Sequence, residues 1–143
     1  MKYIIFGILN SLIIVMISGC EKQDIKVTQF AYVNTLNTDI RMKVYYNHYS
    51  LIDTLLDPLS SYIETTESGR DFSDTYPSVI RANSDSICFY FIDQDKLMMF
   101  RKLEQYKLLS PYDFRSYIKK KTKLKDKTIF IYEISEELLK RSE

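Results

Sequence analysis

His48 is the only histidine in the chain, and Ser50 and Asp53 follow within five residues. These three types can run nucleophilic hydrolysis when a carboxylate orients the imidazole, the imidazole activates the hydroxyl, and an oxyanion hole lies beside them. The stretch "YYNHYSLID" places them at a strand-to-turn junction with nothing to suggest such a hole, so His48 reads as a surface or hydrogen-bonded residue. Asp93 and Asp95 in "DQDK", with Asp85 upstream, could offer oxygens to calcium. Calcium takes roughly six to eight oxygens, and a solvated hairpin turn accounts for these carboxylates better. Cys88 sits in the most apolar run of the chain. A reactive thiol needs an electropositive, partly exposed setting, so Cys88 is expected in the core. One histidine and one cysteine beyond residue 20 exclude the usual tetrahedral zinc spacings. Gly69 is the only glycine after residue 19, which excludes glycine-rich phosphate cradles. No catalytic residue, metal ligand or cofactor site emerges, and the chain reads as non-enzymatic.

Two groups of side chains suit binding instead. Tyr45, Tyr46 and Tyr49 could form a face for a protein or a sugar, because tyrosine joins apolar area to a polar handle. Lys119, Lys120, Lys121 and Lys123 open the run "KKKTKLKDK", residues 119–127, which could meet an anionic or glycan ligand. Lysines on an edge strand also discourage edge-to-edge pairing, and that reading is the stronger.

The elements that must carry these residues are mostly strands. In "DIRMKVYYN", Ile40, Met42, Val44 and Tyr46 alternate with Arg41, Lys43 and Tyr45, the mark of a half-buried strand. "KVTQFAYVN" precedes it, and "SLIDTLLDPLSSYIETT" holds two more strands around an Asp57-Pro58 turn. The longest loop signal runs from 68 to 78. "DSICFYFIDQDKLMMFRK" reads as a hairpin whose first strand is apolar on both faces and therefore central. "SPYDFRSYIKKK" suits an edge strand or a short helix, "KTIFIYEI" is a strand, and "SEELLKRSE" opens a short helix capped by serine. Seven to nine short strands with little helix predict an all-β, single antiparallel β-sandwich over 26–143.

Ahead of that domain, Lys2 is followed by a mostly apolar run from Tyr3 to Ile17, interrupted by Asn10 and Ser11, then Ser18, Gly19 and Cys20, the order of a secretory signal. As a helix, the run would reach about 22 Å, short of the roughly 30 Å hydrocarbon core. The residues "ISGC" resemble the bacterial lipobox, with Ile17 where leucine is commoner. The resemblance implies cleavage of residues 1–19, lipidation of Cys20 and membrane anchoring by two or three acyl chains, with 20–25 as a tether. The remaining 124 residues hold 19 basic and 19 acidic side chains, a balance unlike that of a nucleic-acid binder.

The order of "VTQFAYVNT", "DIRMKVYY", "SICFYFIDQDKL" and "FIYEISEELLK" resembles the small lipoproteins of Bacteroidetes type, in which a lipobox precedes an immunoglobulin-like sandwich. Those chains often carry a Pro-Gly-x-Ser turn before the third strand; here Leu59 stands in the glycine's place. The resemblance implies an envelope lipoprotein and supplies no catalytic residues. The chain is expected to be a non-enzymatic module that binds another envelope or extracellular protein or supports a surface assembly. Glu21, where inner-membrane retention signals have aspartate, favours outer-membrane sorting, with the periplasmic or surface side open.

Overall fold

The alternation around residue 42 becomes a strand with Ile40, Met42 and Val44 fully buried and the residues between them facing solvent. The structure is a computed structural model and describes residues 26–68, 83–104, 107–122 and 127–143. The expected signal segment over 1–19 and tether over 20–25, with Cys20, lie outside the described residues, as do Lys123 and most of the expected 68–78 loop. Eight strands are described: β1 (Lys26–Asn34), β2 (Ile40–Tyr46), β3 (Tyr49–Leu56), β4 (Ser61–Ser68), β5 (Ser86–Phe91), β6 (Lys96–Arg101), β7 (Ile118–Lys121) and β8 (Lys127–Ile134). A five-residue helix, α1 (Glu136–Lys140), follows.

The strands form two four-stranded sheets, ordered β4-β1-β8-β7 and β3-β2-β5-β6. The expectation of an all-β, sandwich-like fold holds, but that of a wholly antiparallel one does not. β1 and β8 run parallel, with Phe30 beside Phe130 and Tyr32 beside Tyr132. Period 2 tells which face of a strand is buried and says nothing about the direction of its neighbour. β5 has neighbours on both sides, as its two apolar faces require. The 112–119 segment resolves into both alternatives: a single 3-10 turn, Phe114–Ser116, and then edge strand β7. Ser135 precedes α1, but its hydroxyl makes no capping bond.

Between the sheets, Phe30, Tyr32, Phe130 and Tyr132 meet Ile40, Met42, Val44, Phe89, Phe91 and Phe100 in one cluster. Tyr132 stacks on Phe89 of the opposite sheet at 5.7 Å and 14°, and Phe30 stacks on Phe130 at 5.1 Å. Buried tyrosine hydroxyls need partners, and those of Tyr132, Tyr117 and Tyr112 find them within the 107–117 segment or join it to Ser84. Tyr132 donates to the Leu109 carbonyl at 2.6 Å, Tyr117 donates to the Pro111 carbonyl at 2.7 Å, and Tyr112 shares a bond with Ser84 at 2.8 Å. The tyrosines thus fasten an irregular segment across the end of the core.

Asn34, fully buried at the end of β1, ties the β1–β2 loop to the β3–β4 turn. The two hydrogens of its Nδ2 are shared among the carbonyls of Thr38, Leu56 and Asp57, at 2.7, 3.0 and 3.1 Å, and its Oδ1 accepts from the Leu36 amide at 3.0 Å. A buried amide so fully satisfied fixes where the chain crosses from one sheet to the other. In the β3–β4 crossing, the Ser60 amide donates to the Asp57 carbonyl at 3.1 Å, Pro58 takes the second position, and Leu59 sits third with φ 59°. That position suits glycine, and a side chain there costs about 1–2 kcal/mol.

Two predictions follow from this architecture. Leu59 is 74% exposed, so Leu59→Gly removes little packing and relieves the left-handed strain. Urea denaturation should show a gain of about 0.5–1 kcal/mol after the extra unfolded-state freedom of glycine is offset. The second concerns alkali. Burial pushes the Tyr112 hydroxyl up to about 12, and pushes Tyr132 up as well. Both stay protonated in the folded chain after they would ionise in the unfolded one, so their stabilisation is complete below about pH 10. It should be lost as pH rises from there towards 12, at about 1.4 kcal/mol per pH unit for each tyrosine. Denaturation midpoints at pH 8, 10 and 11 test this, with phenolate absorbance showing these two rings titrating only on unfolding.

Candidate functional site

β2 offers its outward side chains, Arg41, Lys43 and Tyr45, to the open face of the second sheet. Strand pairing then lines up rows across that face. Arg41 stands beside Tyr90 and Leu97, Lys43 beside Cys88 and Met99, and Tyr45 beside Ser86 and Arg101. Seven of these residues, Arg41, Lys43, Tyr45, Cys88, Tyr90, Leu97 and Met99, line an open concavity of about 390 Å³. Its floor is Cys88, 4% exposed, while Leu97 and Met99 remain 42% and 40% exposed on one wall. The opposite wall is cationic and hydrogen-bonding.

The cations are held in place from β3. Asp53 Oδ1 accepts from Arg41 Nε at 2.6 Å and its Oδ2 from Nη2 at 2.9 Å, and Lys43 Nζ approaches the same Oδ2 at 3.5 Å. The hydrogen-bonded guanidinium holds the Asp53 carboxyl below the usual carboxylate range. A bidentate pair of this kind fixes direction more than it stabilises, because both groups are solvent-exposed. On the other side, the Tyr90 hydroxyl donates to Asp95, and that bond raises its pKa. The face therefore combines an apolar floor with oriented Arg, Lys and Tyr side chains.

The sequence-predicted residues are dispersed. Tyr45 lines the concavity, but Tyr46 and Tyr49 pair at the tip of the β2–β3 hairpin, 50% and 76% exposed, on the other side of the strand from Tyr45. Lys119, Lys120 and Lys121 are exposed on β7, an edge of the first sheet. β3 and β4, which are in contact, form one side of the sandwich. β7 lies at the far end of its sheet from β4, so the lysines and the hairpin tyrosines do not share a surface. Lys119 lies over the Phe130 ring at 5.6 Å, which lays its stem along the core edge.

His48 and Asn47 form the two-residue hairpin turn, both with positive φ, and Asp85 accepts from the Asn47 amide at 2.8 Å. Ser50 donates to the Ile52 carbonyl, while Asp53 is engaged by Arg41 and Lys43. Asp85 lies at one end of β5 and Asp93 and Asp95 at the other, about 20 Å apart along a six-residue strand. Asp93 accepts from the Thr38 hydroxyl. Among the described residues, no cluster of three or more His, Cys, Asp or Glu could hold a metal. Cys88 is buried as expected, but beneath the outer face of its sheet instead of between the sheets.

Of the residues that line this concavity, the sequence singles out Tyr45 as a candidate and gives no sign of Arg41, Lys43, Tyr90, Leu97 and Met99 as its neighbours. The alternation in β2 already placed Arg41, Lys43 and Tyr45 on one face. Only the register of β5 and β6 brings Tyr90, Leu97 and Met99 beside them. Neither a protein-family model nor a curated protein nor a solved structure significantly matches this chain.

Burial pushes the Cys88 thiol up, partly offset by the Lys43 ammonium. With the thiolate disfavoured, Cys88 should react with a water-soluble disulfide reagent at pH 8 at least tenfold more slowly than a free thiol, and at the free-thiol rate in urea. The kinetics of thiol release in the two conditions provide the test.

Proposed function

We propose that the chain is a lipid-anchored, non-enzymatic binding domain of the bacterial cell envelope, of the small Bacteroidetes-type lipoprotein kind. Cys20 carries the anchor, and the open face of the β3-β2-β5-β6 sheet receives another envelope or extracellular protein. The observation that carries the binding half is the concavity on that face. Arg, Tyr and Met are the types enriched at protein interfaces, and here Arg41, Tyr45, Tyr90 and Met99 border one apolar floor. The anchor half rests on the order Ile17-Ser18-Gly19-Cys20 after an apolar run. The outer leaflet of the envelope or its periplasmic side would equally present such a face.

The sandwich is read as immunoglobulin-like. If β1 is taken as strand B of that fold, then β1 beside β4, and β3-β2-β5-β6 in sequence, follow the B–E and C′–C–F–G neighbours. The place beside strand B that strand A would fill is taken by β8, running parallel. Binding of an anionic or glycan ligand by the 119–127 lysines together with the tyrosines is not favoured, since the two groups stand on different surfaces.

Two measurements in intact cells test the proposal. Metabolic labelling with a palmitate analogue should mark the chain, and Cys20→Ala should abolish both the label and membrane fractionation. A photo-crosslinking amino acid at Met99 should yield a covalent adduct with one envelope protein. The same group at Ile63, on the outer face of the other sheet, should not, and Lys119→Ser with Lys120→Ser should leave the adduct unchanged. Equal adducts from Met99 and Ile63, or none from Met99, would overturn the binding half.

A further inference from the structure

Every open sheet has two edges whose unpaired N–H and C=O groups can template another strand, and proteins guard them with lysines, inward charges or covering segments. Three of the four edges here are guarded. β7 carries Lys119, Lys120 and Lys121, all exposed. β4 turns Glu64 inward, 7% exposed. The edge of β6 is occupied at its start, where Leu97 and Glu143 exchange both backbone bonds, at 2.7 and 3.1 Å.

β3 differs. It has no lysine, arginine, proline or glycine, and its one charge, Asp53, is bound to cations of its own sheet. Its register irregularity lies at the Ser50 and Leu51 end, opposite Tyr45, and leaves 52–56 in regular pairing with β2. The backbone directions there can be worked out. The carbonyls of Asp39 and Tyr45 accept from Ile92 and Asp85, so odd-numbered residues of β2 face β5. Even-numbered residues, Ile40, Met42 and Val44, therefore bond Leu56, Thr54 and Ile52. The N–H and C=O of Asp53 and Leu55 are left pointing outward from the sheet. Leu55 is also 51% exposed on the face that carries Arg41 and Lys43.

We infer that β3 pairs antiparallel with β3 of a second copy of this chain, joining two four-stranded sheets into one of eight strands. The outward groups on Asp53 and Leu55 are symmetric about Thr54, so a two-fold axis through Thr54 satisfies them mutually. Asp53 of one copy then faces Leu55 of the other, giving four backbone bonds. This register avoids setting Asp53 directly opposite its own copy, where like charges would repel. The four cations Arg41 and Lys43 of the two copies flank the two Asp53 carboxylates at the seam. A closed two-fold contact of this type ends with the pair and does not propagate. The inference is independent of the partner proposed above, since it uses the edge of the sheet and not the concavity.

The full-length chain, extracted in detergent, allows the test. In the proposed register, Thr54 faces Thr54 of the other copy as a non-hydrogen-bonded pair, with Cα atoms about 4.5 Å apart, within disulfide reach. Thr54→Cys should therefore give a disulfide-linked dimer under mild oxidation. The parent chain should not, nor should Leu103→Cys, whose position is 97% exposed and reports random collision. Sedimentation should show two copies per particle for the parent. Leu55→Asp, facing Asp53 of the other copy, should weaken the dimer at least tenfold, while Leu55→Lys should not. Far-UV circular dichroism should be unchanged in both. A single copy per particle throughout the micromolar range, equal linking from Thr54→Cys and Leu103→Cys, or equal weakening by the two Leu55 variants would overturn the pairing.

Discussion

Tyr132 joins the parts of this molecule that share no local sequence. It lies on β8, central in the first sheet, and its ring stacks on Phe89 of the second sheet. Its neighbours Tyr32 and Tyr117 lie at 5.8 and 5.5 Å, and its hydroxyl is held by the Leu109 carbonyl. Apolar stacking and a hydrogen bond act at opposite ends of the same side chain. The stack sets the separation and slide of the sheets, while the hydroxyl decides where the 107–117 segment must run. Because the hydroxyl is buried, losing that carbonyl would leave a polar group without water or partner, which explains why the segment is ordered around it.

With the sheets so placed, the outward face of β3-β2-β5-β6 becomes a defined surface. Ile87, Phe89 and Phe91 fill the interior, which leaves Cys88 and Tyr90 no direction but outward. Arg41 and Lys43 are turned the same way by burial of Ile40, Met42 and Val44. Asp53 then orients the two cations from the next strand. This concave surface is thus a by-product of core packing: every residue in it sits next to a buried one along its own strand. The edge of β3 follows from the same alternation, applied to backbone groups in place of side chains.

A shortage of glycine shapes the turns. Gly69 is the only glycine beyond residue 19, and among the described residues the left-handed positions fall to Asn47, His48, Leu59, Asp95 and Leu109. Asn and Asp tolerate this conformation because their short polar side chains bond locally. His48 owes its place to the hairpin turn, where it flanks the Tyr46–Tyr49 pair. Its closeness in sequence to Ser50 and Asp53 reflects the tightness of that hairpin: Asp53 faces the cations of β2.

Much was legible from the residues alone. Strand positions, the buried side of β2, the central place of β5, the turn at Asp57 and Pro58, and the guarding lysines of β7 all follow from local periodicity and side-chain type. These properties depend on neighbours within a few residues, where the backbone's period of two acts directly. The parallel pairing of β1 with β8, the outward setting of Cys88, the separation of the tyrosines from the lysines, and the assembly of the concavity were decided only by the tertiary structure. Each depends on which strands become neighbours and in what register. That choice is made by the fit of large side chains such as Tyr132 and Phe89 across the core, a long-range condition that no local pattern encodes.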